Sequence, residues 1–428
     1  MSLIPPQFPI CRFSLSLGAD DIKWFMGQLS SAREEEINLF EEEFVQRQGL
    51  VKAFFVNSAR AGFYEVLQAL NLPPKSRILM PAWTHPSMPA MVVAAGHQPR
   101  LVDIDPGTYT MGSQVASLSE EQWAGVGAVL ITHMYGCPAP VKMLEEEANK
   151  RKIPILEDCA QGFGADCGGK PAGSTGIASF YSFALTKNFT TLSGGMIGVR
   201  GPALADKLTH LRSRAHITPN SKLYPLATKA MAVRTATTKY GFGLGVYPCL
   251  SLGWRATGRD LLHPAFEERF STVPPSVMSV PAPCQAALGR RMLHRVDAHN
   301  NGRNRNGCLL LDMLRSKQIP ELGLPALPQA GKHIFMSFVV THPSRYELSK
   351  RLFYKGIDTS PGYLCPISSM DLFHNKVSTL TPIPVAERLG AQQLHLPIYP
   401  ELTEDQLQYI ADSVALCCEE IGGRTKED

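Results

Sequence analysis

Between residues 53 and 199 the chain repeats one pattern seven times: a short apolar run, at 53–56, 77–80, 100–104, 127–132, 153–156, 177–183 and 195–199. Runs this short and uninterrupted predict strands buried on both faces, since a half-exposed strand would alternate apolar and polar residues. Stretches of helical character at 61–70, 86–96 and 139–151 separate several of them. Strands alternating with helices predict a mostly parallel sheet with helices on both sides, and such sheets bind ligands at the carboxyl ends of their strands. The fold class expected is therefore α/β: a large domain on a mostly parallel seven-stranded sheet, and a smaller C-terminal α/β domain.

The boundaries follow from where this pattern starts and stops. Residues 1–50 read as an N-terminal helical segment: Ser30 and Ser31 precede the acidic Glu34–Glu36, and Leu39, Phe40 and Phe44 recur at helical spacing. Acidic side chains suit the positive end of a helix. The large domain is placed at 51–260 and the small domain at 261–428. In the small domain an apolar run at 334–340 precedes Ser344-x-x-Glu347, and a short strand at 394–398 precedes Thr403-x-x-Gln406. Both tetrads have the capping-box pattern that opens a helix. The second helix would carry Leu407, Ile410, Ala411 and Val414 on one face.

With 19% charged and 44% hydrophobic residues, the chain can bury a large core and does not read as disordered. A formal net charge of +4 over 428 residues gives no argument for nucleic acid. The N-terminus lacks a basic region followed by an apolar core, no window holds 18 uninterrupted apolar residues, and the ten cysteines include no CxxC pair or Cys/His set at zinc spacing. The expectation is a cytoplasmic protein with reduced thiols and no metal. A Cys159–Cys167 bridge is the less favoured alternative.

The charge is unevenly spread. Residues 207–259 hold nine Lys or Arg and no Asp or Glu. Nine exceeds the net charge of the whole chain, so the rest is net acidic. This basic insertion could meet a diphosphate, or be a solvated helical face. Its later part, Tyr240–Trp254, carries no charge at all, and with its cationic flanks 223–254 could also touch a membrane surface.

Two motifs bear on chemistry. Gly164 to Lys170 matches the start of a phosphate-binding P-loop, but Pro171 stands where a magnesium-binding Ser or Thr is needed, so a hairpin or surface loop is expected. No GxGxxG follows a strand. The second constellation sits at two strand ends: Glu157-Asp158-Cys159-Ala160-Gln161 after 153–156, and Ser182-Phe183-Ala184-Leu185-Thr186-Lys187-Asn188 after the start of 177–183, followed by Gly194-Gly195. Taken singly, Lys187 reads as a surface lysine and Asp158 as a cap or turn residue. Taken together, they fit a chemistry. A lysine amine forms a Schiff base with an aldehyde cofactor, and a buried carboxylate keeps a pyridine nitrogen protonated. Asn57-Ser58-Ala59-Arg60, before the helix at 61–70, could offer a phosphate the N–H donors of a helix start.

On these residues the chain resembles the DegT/DnrJ-type sugar aminotransferases, pyridoxal-phosphate (PLP) enzymes of fold type I. The matching stretches are Asn57–Arg60, Pro81-Ala82-Trp83-Thr84-His85, the pair Asp103 and Asp105, Glu157–Gln161, and Ser182–Asn188 before Gly194-Gly195. Gly356-Ile357, Tyr363, Pro366, Leu396-Pro397 and Leu402-Thr403 resemble the family's small domain. The likeness spans roughly residues 35–420. It implies that Lys187 holds pyridoxal 5'-phosphate and moves the proton. Asp158 would pair with the ring nitrogen and Gln161 approach the ring hydroxyl. Ser182, Ser58 and the N–H groups of Ala59 and Arg60 would hold the phosphate. His85 stands where an aromatic residue stacks on the ring; it also reads as a plain helix-start residue before Pro86. The chain departs from the family in Arg60, which replaces a Thr or Ser, and in Val277-Met278-Ser279, where an Asn-Tyr-Arg segment reaches the neighbouring subunit.

The resemblance implies an aminotransferase taking an amino group, by analogy from glutamate, to a keto-sugar or related keto intermediate of glycan or natural-product biosynthesis, by analogy nucleotide-linked, in a homodimer. Two other readings stand beside it: a PLP-dependent lyase or carbon–carbon bond-forming enzyme on an amino-acid-like substrate, and a non-catalytic regulatory protein that keeps the fold. Some relatives dehydrate sugars with His in place of the lysine, and Lys187 argues against that subtype.

Overall fold

In the computed structural model, residues 6–257, 273, 277–362 and 364–424 are described. The 260/261 domain boundary, Arg259 and Tyr363 lie outside them.

All seven apolar runs form strands of one sheet: β1 Lys52–Val56, β2 Arg77–Pro81, β3 Gln98–Val102, β4 Val126–Thr132, β5 Ile155–Asp158, β6 Ala178–Ser182 and β7 Gly195–Val199. Two further strands, β8 Phe338–Thr341 and β10 Gln393–Leu396, pair antiparallel in a separate small sheet. Between them in sequence, the two-residue β9, Ser378–Thr379, adds an eighth strand to the edge of the large sheet. The large sheet runs β1-β7-β6-β5-β4-β2-β3-β9, and only β7 is antiparallel to its neighbours. The sheet is thus mostly parallel, and β9 enters it from the chain stretch assigned by sequence to the small domain.

Alternate side chains of each strand enter different cores, which is why the runs are apolar without a break. On one face Val56, Ile78, Met80, Leu130, Phe180 and Ile197 pack with Phe63, Val66, Met91 and Leu208 from the helices Ala59–Leu70, Ser87–Ala94 and Pro202–Leu211. On the other, Leu79, Val129 and Ile131 meet Leu144 and Ala148 of Val141–Asn149, while Phe55, Tyr181 and Met196 meet Phe40 and Phe44 of Glu35–Gln48. Burying one such side chain contributes roughly 1.5–3 kcal/mol, so both faces anchor the sheet between helices. A third core joins β8 and β10 to the helices Val296–Ser316, Arg345–Tyr354 and Glu404–Arg424. Leu407, Ile410, Ala411 and Val414 are buried there as expected.

Several local expectations change. Among the described residues up to 50, the helices are Ala19–Ser31 and Glu35–Gln48. Residues 10–16 are an irregular strap: Ile10 bridges Ile357, Arg12 is bidentate to Asp358 at 2.9 and 2.6 Å, and Ser16 Oγ donates to the Lys187 carbonyl at 3.0 Å. Ser30 and Ser31 end the first helix, and the N-cap of the second is Glu34. The Thr403–Gln406 capping box forms in both directions, at 3.0 and 3.3 Å. The Ser344–Glu347 box does not: Ser344 N–H donates to His342 Nδ1, and Glu347 pairs with Arg351 one turn on. The Gly164–Pro171 stretch is a hairpin, with Asp166 bridging Pro171 and its Oδ1 accepting from the N–H groups of Gly168 and Gly169. All ten cysteines are free thiols.

The basic stretch is helical, over Pro202–Leu211, Tyr224–Ala236 and Gly241–Thr257. One of its cations is not on the surface. Arg212 is buried, donates to the fully buried Glu65 at 2.5 Å and to the Phe55 carbonyl at 3.0 Å.

Candidate active site

The strand ends converge as the parallel sheet requires. Asp158 is the last residue of β5, and Ser182 the last of β6. Ser182 and Val56 both pair with Gly195, and Ser58 bridges Gly194. The glycines are needed there. Gly194 has φ +98°, and a Cβ on Gly195 would lie 2.4 Å from the Tyr181 carbonyl and 2.7 Å from the Ala59 nitrogen. This close approach brings the start of the helix Ala59–Leu70 beside Ser182. Ser58 caps that helix, accepting from Ala61 N–H at 3.3 Å, while helix geometry leaves first-turn N–H groups without intrahelical acceptors.

Lys187 stands in the loop after β6, clamped on both sides. Phe183 and Phe189 are fully buried with ring centroids 4.8 Å apart. Asn188 donates to the Phe163 carbonyl at 2.8 Å and to Asn300 Oδ1 at 2.9 Å. Lys187 N–H closes a turn onto Ala184 O. Gln285, buried in the helix Pro283–Leu293, ties down the following glycine turn through Thr191 O and Ser193 O and Oγ.

Electrostatics couples the candidate residues. Burial lowers the Lys187 pKa, and Asp158 opposes that shift. Burial raises the Asp158 pKa, against the Ala160 N–H, which donates to its Oδ1 at 3.0 Å, and against Lys187. Burial, then Lys187 and Arg60, push His85 down to about 4. Lys187 thus acts electrostatically on both Asp158 and His85, and Arg60 acts on His85. Ser58, Arg60, His85, Gln161, Ser182 and Lys187 all keep partial exposure, as the lining of a site must, while Asp158 and Ala59 are buried. His85 Nδ1 accepts from Ser87 N–H at 3.2 Å, fixing the ring at the start of Ser87–Ala94. Gln161 Oε1 accepts from Tyr135 N–H at 3.3 Å.

The His85 shift gives a pH dependence. Below pH 6.5 the unfolded histidine gains a proton that the folded one refuses until about pH 4. The unfolded state binds more protons in that window, so acidification from 6.5 toward 4 destabilises the fold. His85→Phe is expected to lose less stability than the parent between pH 7 and pH 5 in urea titrations; an equal loss would contradict the burial of a neutral imidazole.

Other residues from the sequence reading serve structure. Asp103 accepts from Val385 and Ala386 N–H, both at 3.0 Å, and caps the helix Pro384–Gln392. Asp105 closes its own turn through Gly107 and Thr108. Asn57 donates to Ser279 Oγ, which lies in the segment that departs from the family.

Behind these residues lies a second set of buried polar groups. Glu157, fully buried, accepts from His133 Nε2 and from the N–H groups of Gly173, Thr175 and Gly176. Burial opposes its ionisation, yet His133 and these backbone donors hold its pKa below the usual range. Ala139 N–H occupies His133 Nδ1, and His133 N–H holds the Asp158 carbonyl. Ligand atoms of His133, Glu157 and Cys159 lie within 4.8 Å of one another, but these hydrogen bonds already engage His133 and Glu157. Tyr135, at φ 55°, accepts from Trp83 Nε1 at 3.1 Å and donates to Gln393 Oε1 at 3.2 Å, joining β2, β4 and β10. The only sequence signal was polar His133 and Tyr135 directly after an apolar strand.

The DegT/DnrJ/EryC1/StrS aminotransferase family model matches residues 20–227 and 282–415. Among curated proteins, the chain is 25% identical over 393 residues to the UDP-N-acetyl-3-dehydro-α-D-glucosamine 3-aminotransferase of Acidithiobacillus ferrooxidans, covering 92% of this chain and 89% of that protein. It is also 25% identical over 351 residues to a pleiotropic regulatory protein of Geobacillus stearothermophilus, covering 82% and 80%. Among solved structures, S. venezuelae DesV matches with a TM-score of 0.73 at 23% identity, over 96% of this chain and 99% of that one. That likeness shows a shared fold.

Proposed function

We propose that this chain, which belongs to the DegT/DnrJ/EryC1/StrS aminotransferase family, transfers an amino group from glutamate to a nucleotide-linked keto-sugar with pyridoxal 5'-phosphate as cofactor. The fold is type I of the PLP-dependent transferases. The observation that carries the reading is Lys187, just past the end of β6, coupled electrostatically to Asp158 at the end of β5 and to His85, with Ser58 and the helix start brought beside Ser182 by the Gly194-Gly195 turn. The substrate class rests on the named activity of the Acidithiobacillus relative.

The residues fit the cofactor. When bound, it supplies an aldehyde for a lysine amine and a ring that takes up electron density. Asp158 would meet the ring nitrogen; its carboxylate is buried but steadied by Ala160 N–H and the Lys187 charge. Ser182, Ser58 and the N–H groups of Ala59 and Arg60 would hold the phosphate, with the Arg60 guanidinium adding charge-assisted donors. His85 would present a neutral ring face, and Gln161 would orient the ring hydroxyl. Lys187 Nζ, with its pKa lowered by burial, can both give up and take back a proton at the substrate carbon. The family likeness supports a homodimer, and a cytoplasmic location agrees with the free thiols. No helix among the described residues is long and apolar enough to cross a membrane.

A regulatory role without catalysis is the second reading, favoured by the Geobacillus relative. Purified protein loaded with PLP separates the two. The aminotransferase reading expects glutamate to bleach the visible absorbance and release 2-oxoglutarate in stoichiometric amount. Unchanged absorbance with glutamate, alanine and glutamine alike would favour the regulatory reading. Bleaching with ammonia release would point to a lyase.

A further inference from the structure

The family model does not match residues 228–281, which hold most of the helix Tyr224–Ala236 and all of Gly241–Thr257. Gly241–Val246 is a π-helical turn that runs directly into the α-helix Tyr247–Thr257. One side of this rod is docked. Phe242, Leu250 and Trp254 are buried against Cys11 of the strap and Phe353, and Tyr247 Oη donates to the Phe353 carbonyl at 2.7 Å.

The opposite side is apolar too, and it faces water. Tyr240, Leu244, Pro248 and Leu252 recur every four residues and form one row. Tyr240 is 57% exposed, Leu244 72% and Leu252 65%; these are among the most exposed large hydrophobic side chains of the described residues. Lys239, beside Tyr240, and Arg255, beside Leu252 on the same side of the helix, are exposed as well, as is Lys229 on the preceding helix. An exposed apolar row opposite the docked side of a helix, flanked by cations, marks a second contact surface.

We propose that this face rests on an anionic membrane surface, with Tyr240, Leu244 and Leu252 entering the headgroup layer and Lys229, Lys239 and Arg255 meeting lipid phosphates. Charge selects this occupant. From Lys207 to Arg259 there is no carboxylate to repel an anionic lipid. A symmetric contact between two copies would instead set these cations against their own counterparts. The segment contains glycines and a proline, and the docked side supplies the rigidity an isolated amphipathic helix would need. The inference is independent of the reaction assigned to the active site.

Vesicle co-sedimentation of the full-length protein tests it. Vesicles of phosphatidylcholine containing phosphatidylglycerol are expected to bind roughly tenfold more protein than pure phosphatidylcholine, with binding falling as salt rises. Leu244→Asp with Leu252→Asp, and separately Lys229→Gln with Lys239→Gln and Arg255→Gln, should each lower binding severalfold while far-UV circular dichroism stays that of the parent. Absence of binding, equal binding to both vesicle types, or unchanged binding by both variants would overturn the proposal. So would a parent that does not bind vesicles but forms a larger oligomer that the Asp variant dissolves, since the face would then be a contact between copies.

Discussion

Lys187→Ala is expected to abolish amino transfer while leaving the protein folded. Loss of a positioned acid–base group alone costs roughly 10²–10⁴-fold in rate, and this residue is also the proposed covalent anchor, so turnover should fall below about a thousandth of the parent. The fold should survive because the loop is held by others: Phe183 and Phe189 lock their rings together, Asn188 binds Phe163 and Asn300, and Ser16 holds the residue 187 carbonyl. None of these contacts uses the lysine amine. Release of keto acid from the amino donor, read beside a urea unfolding curve, checks both halves. Turnover within tenfold of the parent would remove Lys187 from the chemistry.

Arg212→Ala is expected to have the largest effect on stability. Arg212 and Glu65 are both buried, and Arg212 also binds the Phe55 carbonyl at the end of β1. Removing one member of such a pair leaves an unpaired buried charge and costs about 3–5 kcal/mol. The pH dependence identifies the cause. Burial raises the Glu65 pKa and Arg212 brings it back down, so the variant should carry a Glu65 raised further. A carboxyl group with a raised folded pKa binds its proton more readily in the folded than in the unfolded state, so its penalty grows as pH rises above its unfolded value. The deficit of the variant should therefore be smaller at pH 5 than at pH 8. A deficit independent of pH would mean that lost packing, not Glu65, is responsible.

The sheet was legible because each strand carries its own evidence. A run such as Ala128–Thr132 must be buried on both faces to be apolar throughout, and it is. The Asp158 and Lys187 segments were legible because strand ends converge in a parallel sheet whatever the loops do. What escaped the sequence depends on partners far along the chain. Arg12 finds Asp358 across 346 residues, and Arg212 finds Glu65 across 147. Counted by sequence, Arg212 joined a surface cluster of cations, whereas its carboxylate partner sits on a helix before β2. His133 and Glu157 looked like ordinary polar residues at strand ends; their role appears only when the loop at Gly173–Gly176 folds over them. Ser344 shows the converse: a correct local pattern was overridden because His342 Nδ1 reaches its N–H first.

The central claim is that Lys187 is the residue that takes up the cofactor. Borohydride reduction of the PLP-loaded protein, followed by mass mapping of its peptides, reads this directly. The account predicts one pyridoxyl group per chain, on Lys187, absent from the Lys187→Ala variant. Labelling on any other lysine, or no label on a protein that binds PLP, would contradict it.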